Sequence, residues 1–184
     1  MRCALYFGSF NPLHIGHAAI ARYVLQNCNI DSLRLVLTPM NPFKSNDVSL
    51  TDVQQRLADL KESVKKFNEE SGCCSRLEIS TVEFNLPKPN YTYNTLEFLK
   101  KSEPENTFVL IMGADNLAAI EKWYKGLDIL KEYEVWVYPR KGFDTRMLCN
   151  KYGATFLDAP LVDVSSTMIR EGEREGMDMS ELRY

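Results

Sequence analysis

The 184-residue sequence predicts an α/β protein built on a doubly wound, mostly parallel sheet. Three observations carry that expectation. Strand-like and helix-like segments alternate along the chain, the pattern of parallel strands joined by crossover helices. The stretch "TFVLIMG", residues 107–113, is a continuous apolar run, as a strand buried on both faces requires. Finally, "GSFNPLHIGH", residues 8–17, gathers a glycine, a proline and both histidines of the chain into a strand-to-helix turn, a place where phosphate sites are built.

The elements follow in order. "MRCALYF" reads as a short buried strand and "AAIARYVLQNC" as the helix after the turn. "LRLVLTP" is a second strand, followed by the polar loop "NPFKSNDVSL" with Lys44. A second helix begins at Thr51, where "TDVQ" fits a capping box closed by Gln54. Its apolar positions Val53, Leu57, Leu60, Val64 and Phe67 recur at steps of three and four. "SGCCS" breaks the chain, and "RLEISTVEF" alternates like a strand. The loop "NLPKPNYTY" leads into a short helix, "NTLEFLKK". After the apolar run, "ADNLAAIEKW" reads as helix, "YEVWVYPR" as strand and "DTRMLCNKYG" as a helix closed by a glycine C-cap. "ATFLDAP" is a last strand, and the serines and threonine of "VSSTMIREG" are placed to open a last helix. Five or six strands result, in one domain spanning residues 1–184. Ligands of such sheets bind at the carboxyl ends of strands where the strand order switches. The turn after strand one, the turn after "FVLIMG" with Asp115, and the "VSST" segment fall there.

Composition narrows the function. Hydrophobic residues make up 45% and charged residues 26%, the balance of an ordinary globular chain. A net charge of −3 argues against a nucleic-acid surface, yet leaves room for a local anion site. The five cysteines (Cys3, Cys28, Cys73, Cys74 and Cys149) are odd in number and lack a C-x-x-C. They fit neither a disulfide framework nor a zinc site and point to reduced thiols in the cytoplasm. A signal peptide and a membrane span are not expected, because the apolar runs are too short.

Each motif has a physical rationale. Gly8 lets backbone approach a ligand, Ser9 and Phe10 offer backbone N–H groups, and Pro12 stiffens the turn. His14 and His17, at spacing i and i+3, share one helix face. Imidazoles there can donate to phosphate oxygens, and their protonated forms can offset developing charge. A metal reading of this pair finds no carboxylate or cysteine at suitable spacing. Ser165, Ser166 and Thr167 would open a helix whose free N–H groups and hydroxyls take an anion. Arg170 lies on the same face and can grip phosphate with its planar fork.

The first string resembles the signature of the nucleotidyltransferase superfamily of adenylyl- and cytidylyltransferases, whose H-x-G-H core is shared with class I aminoacyl-tRNA synthetases. "VSSTMIR" is similar to the I-S-S-T-x-I-R motif of the adenylyltransferases. A synthetase would need a much longer chain. "NPFK", "NYTYNTL", "MGADNLAAIEKWYKGLDIL" and "YPRKG" resemble segments of the nicotinate-nucleotide adenylyltransferase family, so that the likeness runs from residue 1 to about 172. The resemblance implies a Rossmann-like nucleotidyltransferase fold and a cytoplasmic enzyme of NAD biosynthesis. It would transfer the adenylyl group of ATP, accompanied by Mg²⁺, to nicotinate mononucleotide.

By the same resemblance His14, His17 and Arg170 act on the phosphates, and Gly8, Ser9, Phe10, Gly113, Asp115, Ser165, Ser166 and Thr167 bind ATP. Tyr91, Thr92 and Trp123 meet the pyridine nucleotide, with Trp123 stacked on its ring. Lys44 and Arg140 are candidates for the acceptor phosphate or the triphosphate. No metal is bound by protein groups alone. No acidic side chain is expected at the ring, which favours the acid over the amide acceptor. Asn94 stands where the family often has Asp and receives no role. The C-terminal end is short for the family, and a homo-oligomer remains open. The rivals are an adenylyltransferase for nicotinamide mononucleotide or phosphopantetheine, and a non-catalytic nucleotide sensor.

Overall fold

The computed structural model describes residues 1–39, 50–71 and 77–184. Lys44, Cys73 and Cys74 lie outside the described residues. Strands β1 (Arg2–Gly8), β2 (Ser32–Leu37), β3 (Leu77–Ser80), β4 (Thr107–Gly113), β5 (Glu134–Tyr138) and β6 (Thr155–Phe156) form one six-stranded sheet in the order β3-β2-β1-β4-β5-β6. Every pairing is parallel. The expected doubly wound fold is therefore observed. The order reverses between β1 and β4, where Tyr6 is in register with Leu35 on one side and Ile111 on the other. The C-terminal ends of these two strands, Gly8 and Gly113, flank the crevice.

Burial on both faces explains the apolar strands. In β1, Ala4 and Tyr6 face one core, which includes Ala18, Ala21 and Val24 of helix α1 (Ile15–Asn27) and Leu60, Val64 and Phe67 of α2 (Leu50–Ser71). Cys3 and Leu5 face the other, against Leu96 and Leu99 of α3 (Thr92–Ser102), Leu117 of α4 (Ala114–Ala118), Ile129 of α5 (Gly126–Glu132) and Cys149 of α6 (Thr145–Tyr152). Helix α7 (Ser166–Arg174) closes the crevice side. Among the described residues no helix is long and apolar enough to cross a membrane.

Several local expectations are corrected. Helix α2 already includes Leu50, so Thr51 lies inside it and not at its cap. "RLEISTVEF" is not one strand: β3 ends at Ser80 and Val82–Phe84 form a 3₁₀ turn. The segment from Ala114 to Trp123 is not one helix but α4 followed by a 3₁₀ turn, Ile120–Lys122. Helix α3 begins two residues ahead of Asn94, and β6 has only two residues. Helix α5 was not anticipated; Lys125, at φ 52°, turns the chain into it.

Residues 177–184 fold back over the opening turn. Tyr184 N donates to Leu13 O at 3.1 Å, and Arg183 forms an antiparallel bridge with His14. Ser63 Oγ donates to Tyr184 O at 2.7 Å. The tail thus braces the turn from behind.

Candidate active site

The sequence ends β1 in a tight turn and starts α1 with a reciprocal cap. His14 is the N-cap, and its Nδ1 accepts from His17 N at 3.4 Å. His17 Nδ1 in turn accepts from His14 N at 3.3 Å. This is a capping box in which two imidazoles replace the usual hydroxyl and carboxylate. The rings stack at 3.7 Å and 25°. Because each Nδ1 accepts, each ring carries its proton on Nε2. Burial, then the Arg140 charge, lowers His14 to about 4. Burial, then His14 and Arg140, holds His17 well below the ordinary range. The free site therefore offers two neutral N–H donors, the first of the two forms considered from the sequence.

A pH dependence follows. Unfolded, His14 titrates near 6.5; folded, near 4. Between these values the unfolded chain binds more protons, so stability falls as pH drops through this window. The loss attributable to His14, which is 2% exposed, is roughly 3 kcal/mol. Urea unfolding at pH 7 and pH 4 checks this. The fall should be smaller in His14→Asn, which keeps a capping side chain but cannot take up the proton. Equal falls in both proteins would refute it.

The glycines of the crevice make room for side chains. A Cβ on Gly8 would sit 2.9 Å from ring carbons of Phe10. Phe10 takes a left-handed φ of 41°, and its buried ring meets Tyr6 and His17 edge-on at 5.8 and 5.2 Å. Phe10 is thus a support under His17, beyond the backbone role expected of it. A Cβ on Gly113 would collide with Asp115 Oδ1. Asp115 pairs with Arg140 Nε at 3.6 Å, and Arg140 Nη2 donates to Tyr138 Oη at 3.3 Å. Tyr6 Oη then donates to Tyr138 Oη at 3.2 Å. Asp115, Arg140, Tyr138 and Tyr6 form a polar chain that ends beside His17.

Helix α7 is docked on the same turn. Arg170 Nη1 donates to Asn11 O at 2.6 Å, and Nη2 donates to Thr167 Oγ1 at 3.2 Å. Ser166 Oγ donates to Pro12 O at 3.0 Å, while Ser165 Oγ accepts from Met168 N at 3.1 Å. The Ser166 hydroxyl thus commits its proton to the Pro12 carbonyl, whereas the Ser165 hydroxyl accepts and keeps its own proton to donate. An anion would meet the first-turn amides of Ser166 and Thr167 together with the Ser165 O–H. Arg56 of α2, 3% exposed, clamps the loop from below by donating to the carbonyls of Ser9, Thr38 and Pro39 at 2.8–3.1 Å.

On the other side of Gly8 and Ser9 lies a cavity of about 160 Å³. Tyr91 and Thr92 line it from the start of α3, and Asn116, Trp123 and Tyr124 from the α4 side. Tyr91 stacks on Tyr124 at 4.8 Å. Glu83 and Asn90 were not anticipated there; Glu83 is 2% and Asn90 5% exposed. Thr95 Oγ1 donates to Glu83 Oε1 at 2.9 Å, and Asn90 Nδ2 donates to Glu83 O at 2.9 Å. Burial pushes the Glu83 carboxyl up to about 7, opposed by the hydroxyls of Thr95 and Thr38. The expectation of no acidic side chain at the ring rested only on the segments around Tyr91–Thr92 and Ala114–Trp123, and Glu83 reaches the cavity from outside both. Of the proposed residues, Lys44 alone lies outside the described residues.

Imidazole donors, an arginine and a helix start, gathered around a switch-point crevice, define an α/β protein of the nucleotidyl-transferring class. The comparisons agree. The model of the cytidylyltransferase-like family matches residues 5–172. A probable nicotinate-nucleotide adenylyltransferase of Flavobacterium psychrophilum is 41% identical over 173 residues, 93% of this chain and 86% of the relative. One from Bacteroides fragilis is 35% identical over 178 residues, 97% and 85% of the two chains. The solved Plasmodium falciparum nicotinic acid mononucleotide adenylyltransferase complexed with NaAD shares the fold, with a TM-score of 0.76 at 18% identity and coverage of 98% and 87%. The chain belongs to the nicotinate-nucleotide adenylyltransferase family, within the cytidylyltransferase-like group.

Proposed function

We propose that this chain transfers the adenylyl group of ATP to nicotinate mononucleotide, giving nicotinate adenine dinucleotide and pyrophosphate. The observation that carries the reading is the division of one crevice at Gly8–Ser9: paired imidazole donors on one side, an aromatic-walled cavity on the other. The acceptor's 5′-phosphate oxygen forms a bond to the α-phosphorus of ATP as the bond to pyrophosphate breaks in line. A phosphate is already nucleophilic at neutral pH, so positioning and charge stabilisation suffice. The Nε2–H groups of His14 and His17 donate to the transferred phosphate. Arg170 and the amides of Ser166 and Thr167 hold the β and γ phosphates.

Gly8, Ser9, Phe10, Gly113, Asp115 and Ser165 shape the ATP side, and Lys44 and Arg140 add positive charge. Tyr91 and Thr92 meet the pyridine end, with Trp123 as its stacking face. Magnesium enters as MgATP, part of the substrate. Asp115 is paired with Arg140, and among the described residues no three His, Cys, Asp or Glu side chains cluster to hold a metal. The free thiols of Cys3, Cys28 and Cys149 suit a cytoplasmic setting.

Pyrophosphate release with ATP and each of nicotinate mononucleotide, nicotinamide mononucleotide and phosphopantetheine tests the proposal. The acid mononucleotide should give the highest kcat/KM. Trp123→Ala should weaken both pyridine acceptors by a similar factor, roughly 10-fold or more for a lost stacking face. Thr92→Val should narrow the gap between them. Preferred use of phosphopantetheine, or ATP binding without pyrophosphate release, would overturn the assignment.

A further inference from the structure

The floor of the acceptor cavity holds two buried atoms without partners. Glu83 Oε2 and Asn90 Oδ1 have no partner in hydrogen-bond geometry among the described residues, although the Thr38 hydroxyl is near enough to act on the Glu83 carboxyl. The other atoms of both side chains are engaged: Glu83 Oε1 accepts from Thr95, and Asn90 Nδ2 donates to the Glu83 carbonyl. Both residues line the cavity that also holds Thr92 and Trp123. A buried acceptor left unpaired at a ligand cavity calls for a donor from the ligand. A ring carboxylate brings acceptors only. It fits beside Glu83 only if Glu83 itself carries the proton. A carboxamide brings N–H groups and fits the ionised form.

We propose, resting on the reading that this cavity takes the acceptor's pyridine ring, that Glu83 sets the choice between acid and amide. As the neutral acid, its Oε2–H donates to the ring carboxylate. As the carboxylate, it repels that group and accepts from a carboxamide N–H. Selectivity is then a function of pH, and burial places the changeover near neutrality. The groups around Glu83 leave this titration to it. Thr38 at the end of β2 and Thr95 of α3 bring hydroxyls, and Tyr91 and Tyr124 bring phenols. Arg56 of α2 is turned to the Ser9, Thr38 and Pro39 carbonyls and pairs with Asp52 at 3.4 Å. Lys125 rests over the Tyr93 and Tyr124 rings.

The test measures kcat/KM for nicotinate and nicotinamide mononucleotides with saturating MgATP from pH 6 to 9. Both acceptors carry the same 5′-phosphate, so its titration cancels in their ratio. In the parent protein the acid-to-amide ratio should fall at least roughly tenfold across the range, with a midpoint near 7. Glu83→Gln offers a permanent N–H donor and a carbonyl acceptor, so its ratio should stay level within about twofold. A residue that only braced α3 would change both acceptors alike and leave the ratio without a pH slope. A second measurement needs no variant. Calorimetry in two buffers of different ionisation enthalpy should show more proton uptake at pH 7.5 for the acid mononucleotide than for the amide. A level ratio in the parent, an unchanged slope in Glu83→Gln, or equal proton uptake would overturn the proposal. If neither acceptor releases pyrophosphate, the adenylyl-transfer reading falls, and the proton uptake still judges Glu83. If the acid mononucleotide does not bind at all, both fall.

Discussion

His17→Ala should lower kcat by roughly 10²–10³, the scale for removing one preorganised donor from a developing charge. The KM for ATP should change less, because the interaction strengthens in the transition state. Stacking and capping hold the ring in the donating position. His17 Nδ1 accepts the His14 amide, and the ring rests on Phe10 at 5.2 Å. Removing it also costs about 1 kcal/mol of helix capping. Thermal unfolding therefore accompanies the kinetics, to show that the variant is folded at the assay temperature. His14→Ala should match it in kcat. Turnover within a few-fold of the parent in both variants would remove the imidazoles from the chemistry.

The next largest effect is expected at Arg170. Its guanidinium bridges the carbonyl of Asn11 and the hydroxyl of Thr167, which places it between the opening turn and α7. Arg170→Ala should raise the KM for ATP by roughly 10- to 100-fold, the range for losing hydrogen bonds to a charged partner. Arg170→Lys keeps the charge but not the fork and should fall in between. Circular dichroism should show the same helix content in all three proteins. If Arg170→Ala binds ATP as the parent does, the arginine serves only to dock α7.

Local features of the site could be read from the sequence, and those created by distant contacts could not. The histidine pair is a relationship across three residues, and the Ser165 cap likewise, so both are written in adjacent letters. The central strands announce themselves because two cores, one on each face, demand apolar residues without a break. Glu83 was hidden because "RLEISTVEF" keeps its alternation past the point where the strand stops. Only the pairing of Leu33–Val36 with Leu77–Ser80 ends β3, and the 3₁₀ turn beyond it carries the carboxyl inward. Arg56 sits at a polar position of an amphipathic helix and reads as a solvated charge. Three carbonyls from elsewhere in the chain make it a buried clamp. Helix α5 was missed because its seven residues, Gly126–Glu132, are too few to show a helical period.

The reciprocal cap has a consequence for descent. Each imidazole secures the amide of the residue that bears the other, and each ring is the other's stacking face. Exchanging one of them for a side chain without an acceptor strands an amide at the start of α1 and uncovers the ring that is left. A lineage moving to a different pair of side chains would pass through an intermediate poorer than either end point. Positions 14 and 17 are therefore coupled in descent, single steps there being confined to side chains that still accept from the neighbouring amide.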